Sequence, residues 1–363
     1  MKRRSSWTIW GTMTLIAILA GIFSGVLASV TTNTSLDRYL ESLTVEDDFI
    51  SISEVKPNPV PGTYEEALDV VRESGWPSIV YVLPETNVAV YEQDALGIGV
   101  IVTTDGWILI QGDVIEGDVL SGEKVFWNGE VFEVLEFVQD TRTDLALIRV
   151  DANDLPAVAF GDSEAFLGGE IVFGLPGATS IVPNSIENAS VNQVAEAVPA
   201  EEYTSSWSMT HAIEEPMPVF DTAGELVAYS GADERITPFV QIAPFIHSVL
   251  REGEPEYAGL GARVFDVSLA LNEGFQSTGS FGYIVMDPRA DQAILPGSPA
   301  ELAGMQAFDI IVSVGGVSLT RDGSLPVILA DYEPGEVASF EILRGEETLF
   351  LDITFGVLQD LVY

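Results

Sequence analysis

The chain has 363 residues, enough for two domains with proper cores plus additional segments. It carries 56 Asp and Glu against 15 Lys and Arg, a formal net charge of −41, so nucleic acid and anionic lipid headgroups are poor partners. With no cysteine and only His211 and His247, disulfides, thiol nucleophiles and thiolate metal sites are excluded, and an imidazole zinc site is disfavoured. Lysine occurs only at Lys2, Lys56 and Lys124. That acidic balance suits basic chains, cations or a saline habitat, and it equally serves plain solubility at a cell surface.

In chain order, Lys2, Arg3 and Arg4 precede the uncharged apolar run Trp7–Val30. A run of this kind spans a hydrocarbon core as one helix, which needs about 20 residues. The cations assign residues 1–6 to a cytoplasmic tail, 7–30 to a transmembrane anchor, and all that follows to the outside. The alternative is a cleaved signal peptide, with Val26-Leu-Ala-Ser29 as a small-residue cleavage site. Residues 31–62 read as a stalk that ends in the stiff segment Pro57-Asn-Pro-Val-Pro61-Gly62.

Thr63 then reads as an N-cap, with Glu65 and Glu66 in the first turn of a helix running to about Ser74. Beyond Gly75 the period becomes strand-like. Short β-rich runs at Ile79–Leu83, Gly97–Thr103, Trp107–Ile110, Lys124–Trp127, Val131–Val138 and Leu145–Val150 are parted by turn residues. Asp105-Gly106 and Asn128-Gly129 are hairpin signals. A second set covers Ala157–Phe160, Glu170–Gly174, Ser185–Ala189, Ser205–Thr210, Pro218–Phe220, Leu226–Tyr229 and Phe239–Gln241, before a closing helix at Ala243–Leu250. This is the punctuation of small antiparallel barrels.

The stretches GIGVIVTTDGWILIQGDVI from Gly97, TDLALIRV from Thr143 and LPAVAFGDSEAFLGGEIVFGLPG from Leu155 resemble the trypsin-like domain of HtrA/DegP-type envelope proteases. Further on, Pro296-Gly-Ser-Pro-Ala-Glu-Leu-Ala-Gly304 and Phe308-Asp-Ile-Ile-Val-Ser-Val-Gly-Gly316 resemble a bacterial PDZ core. The resemblance covers about residues 64–356 and is weakest between 177 and 240. It implies a mainly β fold: a trypsin-like double barrel at 63–250, a linker at 251–256, a PDZ domain at 257–356 and a tail at 357–363. Members of that family commonly trimerise, so a homotrimer is the implied assembly.

Serine proteolysis needs a hydroxyl, a base and oxyanion donors. The family's aspartate is matched by Asp144. Its histidine slot holds Asp113, a carboxylate, and carboxylates with their ordinary pKa near ~4 are weak bases for this task. Aligning Pro218-Val-Phe-Asp221 with the family's Pro-Leu-Val-Asn puts Glu215 at the serine, with Pro216 and Met217 in place of two glycines; alternatively the serine slot is deleted. A proline there removes a backbone donor. The expectation is therefore a pseudoprotease, against an active endopeptidase and a structural surface protein as rivals. His247 is expected at the surface. Asp113, Asp144 and Glu215 either converge on a hard cation or point to water, and no cofactor is implied.

The family's carboxylate-binding loop, Tyr-X-Gly-hydrophobic-Gly, is matched by Tyr257, Ala258, Gly259, Leu260 and Gly261. Leu260, Ala262, Leu325, Ile328 and Leu329 would line its pocket. The implied partners are polypeptide C-termini or unfolded segments, with the membrane held through the anchor and no nucleic acid. Phe308 stands where the family usually has glycine.

Overall fold

The computed structural model describes residues 61–85, 91–115, 122–164, 166–192, 197–213, 215–231, 235–267, 282–287, 293–319 and 324–361. The expected anchor and nearly all of the stalk lie outside them. No helix among the described residues is long and apolar enough to cross a membrane.

The first helix, α1 (Tyr64–Ser74), begins as its sequence predicts. The Thr63 hydroxyl accepts from the Glu66 N–H at 3.2 Å, and the Glu66 carboxylate accepts from Gly62 at 2.8 Å. One orphan donor of the first turn is thereby satisfied, along with the N–H of the residue before the cap.

Six strands then close a barrel in the order β1-β2-β3-β6-β5-β4. They are β1 (Ile79–Leu83), β2 (Gly97–Ile101), β3 (Trp107–Gln111), β4 (Lys124–Trp127), β5 (Glu130–Gln139) and β6 (Leu145–Val150). Alternate apolar residues such as Val80, Val82, Ile108, Ile110 and Ile148 fill its interior. Asn128 and Gly129 both take positive φ, 46° and 89°, in the two-residue turn that sets Trp127 opposite Glu130. That geometry matches the right-handed twist of the strands.

A second closed barrel runs β10-β13-β12-β11-β7-β8. Its strands are β7 (Ile171–Gly177), β8 (Ser180–Asn192), β10 (Ser205–Met209), β11 (Met217–Phe220), β12 (Leu226–Ser230) and β13 (Ile236–Pro238). Two expectations are corrected here. Phe239–Gln241 is not a strand but the first turn of α2 (Phe239–Glu252). Pro238 ends the strand, and Phe239, Ile242, Phe245, Ile246 and Val249 form the buried stripe of a helix. Ala157–Phe160 also forms no strand, contributing only a single bridge from Phe160 to Leu226.

The C-terminal module contains β14 (Ala258–Gly259), β15 (Arg263–Asp266), β16 (Tyr283–Val285), α3 (Pro299–Leu302), β17 (Ile310–Val314), β18 (Val317–Ser318), α4 (Leu325–Ala330), β19 (Val337–Arg344), β20 (Glu347–Thr354) and β21 (Gly356–Val357). Its main sheet runs β20-β19-β17-β16-β15, with β18 beside β17, while β14 pairs with β21. One further strand completes that sheet at the β15 edge, and it comes from elsewhere. It is β9 (Val198–Pro199), from the connection between β8 and β10 of the second barrel.

Candidate functional site

The protease-like site is built from loop ends of both barrels. Asp113 lies in a short 3-10 turn after β3, Asp144 directly before β6, and Glu215 two residues before β11. Gln111 and Gly112 bring the first two loops together. The Gly112 N–H and the Gln111 side-chain amide both donate to the Asp144 carbonyl, at 2.8 and 3.1 Å. A side chain at Gly112 would meet that carbonyl at 2.8 Å and the Gln139 amide at 2.6 Å, so glycine is required. Asp144 itself sits at φ +58°, a conformation that aspartate tolerates better than most residues.

Asp113, Asp144 and Glu215 are all exposed. Among the described residues no group of three or more His, Asp or Glu is placed to hold a metal ion. Near them Tyr229 is fully buried, and its hydroxyl donates to the Ile98 carbonyl at 2.8 Å. Burial drives its pKa up, and Asp113 adds to the shift through its negative charge.

The two positions that follow Glu215 present no free backbone donor. Pro216 has no N–H, and the Met217 N–H donates to the Ser230 hydroxyl at 2.9 Å. Ser230 is fully buried, and its hydroxyl also faces the carbonyls of Met217 and Glu215, at 3.1 and 3.3 Å. It is a strap across β11 and β12. His211 is exposed in a turn whose backbone is held by Asn184. His247, expected at the surface, is instead half-buried on α2; desolvation, with help from Arg251, lowers its pKa. Its helix packs on the second barrel.

The residues expected to line a peptide groove lie in one part of the C-terminal module. Ala258, Leu260, Ala262, Leu325 and Leu329 belong to one buried cluster, with Ile328 packed against it. Gly261 takes φ +77°, with Ser298 where a side chain would project. Tyr257 is buried, and both burial and Asp140 raise its hydroxyl pKa.

Residues the sequence did not single out complete this region. Ala200 belongs to the same buried cluster and Glu201 is 3% exposed. The Leu260 N–H, in the loop expected to bind carboxylates, donates to Oε1 of Glu201. Arg142, between Asp140 and Asp144, donates to the Glu201 carbonyl at 2.6 Å. The only sequence signal was an apolar Val-Pro-Ala run followed by acids, inside the stretch where the resemblance is weakest.

Residues 97–228 match the model of the trypsin-like peptidase domain, and residues 292–328 match that of the PDZ domain. Solved structures of the HtrA-type protease AlgW, with a decapeptide and with a tripeptide, superpose with TM-scores of 0.56 and 0.55. Each alignment covers 81% of this chain, at 18% and 19% identity. The fold is a trypsin-like double barrel with a C-terminal PDZ domain. Among curated relatives, a probable periplasmic serine endoprotease DegP-like from Marinomonas sp. (strain MWYL1) is 28% identical over 279 residues, covering 72% of this chain. One of the same description from Halomonas elongata is 25% identical over 282 residues, covering 73%. This chain spans 57% of the length of each.

Proposed function

We propose that this protein is an HtrA-like pseudoprotease that captures polypeptide C-termini or unfolded segments through its PDZ domain. In this reading it is tethered by residues 7–30, with its bulk outside the cytoplasm, where the DegP-like relatives are described as periplasmic. It serves as a sensor or adaptor in envelope protein quality control, with a homotrimer as its assembly.

The observation that carries the reading is the chemistry around Glu215. A carboxylate stands at the nucleophile slot, the next residue is proline, and the following N–H is engaged by Ser230. Together with Asp113 at the base slot, this leaves no hydroxyl nucleophile and no imidazole base in register. The peptides carried by the AlgW structures support the binding half of the reading. A fluorophosphonate probe on the full-length chain tests the catalytic half. The reading expects no adduct; stoichiometric labelling of one serine would refute it.

A further inference from the structure

Strand addition to a PDZ groove makes three demands on a ligand. It pairs with the edge strand, places its last side chain in an apolar pocket, and sets a carboxylate on backbone N–H groups of the adjoining loop. Residues 198–201 of this chain meet all three at once. β9 pairs antiparallel with β15, Pro199 opposite Arg263 and Val198 opposite Val264. The Ala200 N–H donates to the Ala262 carbonyl at 2.9 Å, extending the ladder beyond a proline that cannot donate. The Ala200 methyl is fully buried with Leu260, Leu325 and Leu329. The carboxylate on the Leu260 N–H belongs to the Glu201 side chain.

Burying a carboxylate is costly unless charge-assisted partners replace water. Arg142 brings a positive charge to the backbone of the same residue. Its guanidinium donates to the Glu201 carbonyl and lies over the rings of Tyr203 and Tyr257, 4.6 and 4.4 Å from their centroids. The contact therefore involves both ends of a built site and is more than a loop resting on a surface.

We propose that residues 198–201 are a resident internal ligand of the groove, with the Glu201 carboxylate standing in for a chain terminus. The outside ligand is then a polypeptide whose free C-terminal carboxylate follows a small apolar residue such as alanine, and it binds by displacing this segment. The second statement rests on the peptide-binding reading above. An occupant attached to the same chain competes at high effective concentration, so the outside peptide meets a groove that is only fractionally open.

The test uses the full-length chain and a labelled decapeptide ending in Val-Pro-Ala, with a free carboxylate or as its amide. Replacing Val198 and Val264 with cysteine allows a single disulfide, because the chain has no other cysteine. The proposal expects oxidation to close this disulfide and block binding of the free-acid peptide, and reduction to restore it. Glu201→Ala should bind that peptide about ten-fold tighter or more, as removal of an occupant from most molecules requires. Glu201→Gln, which keeps the side chain's shape, should move in the same direction, and the amide should not bind. Failure of the disulfide to form overturns the proposal, as does a native affinity equal to that of both Glu201 variants. A disulfide that forms while no variant binds any peptide upholds the resident segment and overturns the peptide-binding reading instead.

Discussion

The Arg142 guanidinium lies over the Tyr257 ring, 4.4 Å from its centroid, and so ties the loop before Asp144 to the start of the Tyr257–Gly261 loop. Arg142 also stacks on Tyr203, while its backbone N–H is held by buried Asp140 at 3.1 Å. A planar, delocalised cation suits two ring faces and a carbonyl; an ammonium does not. Arg142→Ala is expected to lower the unfolding free energy by about 2 kcal/mol. Arg142→Lys should recover less than half of that loss. Urea unfolding of both variants reads the difference.

A second pair makes an asymmetric prediction. The Arg344 guanidinium grips both oxygens of Asp309, at 2.7 and 2.8 Å, and Asp309 is fully buried while Arg344 is not. Removing the cation strands a buried carboxylate; removing the anion leaves a cation that can reach water. Arg344→Met should cost about 3 kcal/mol and Asp309→Asn clearly less, measured by the same unfolding experiment. Equal losses would show that burial of the charge is not what sets the cost.

Phe308 adopts φ +72°, a left-handed conformation that bulky side chains resist, and its ring is 69% exposed. The turn thus keeps the geometry of the usual glycine without the glycine. Phe308→Gly relieves that strain while losing little burial, for a gain of about 1 kcal/mol after the entropy of the added glycine is counted. A rise in thermal midpoint checks it, and a fall would show that the exposed ring makes contacts of greater worth.

Glu225 carries a pH dependence. Desolvation first, and Asp221 second, push its pKa from 4.5 to about 7. An acid with a raised folded-state pKa binds more protons folded than unfolded, so stability declines as pH rises from about 4.5 to about 7. The stability difference between pH 5 and pH 7.5 should shrink in Glu225→Gln. Comparison with the parent chain at matched salt removes the self-repulsion that a net charge of −41 contributes to both.

The barrels were largely legible in the sequence because half-buried strands alternate and their turns need Gly, Asn or Asp. Ile79–Leu83, Lys124–Trp127 and Leu145–Val150 have the expected bounds. Phe239–Gln241 misled because three residues cannot distinguish a strand from the start of a helix. Asp113, Asp144 and Glu215 fall at or near loop ends, where the spacing of the motifs suggests loops. The partnership of Glu201 with Leu260 could not be read in this way. It joins residues 59 apart through one side-chain carboxylate, and neither period nor motif encodes such a contact.

The most direct measurement for the account as a whole is casein hydrolysis by the full-length chain, beside Asp113→His, Glu215→Ser and the double variant. The account predicts no turnover by the native chain above a buffer control. Turnover that persists through purification and vanishes in Asp144→Ala would contradict it, and would mean that a base and a nucleophile other than residues 113 and 215 serve the site.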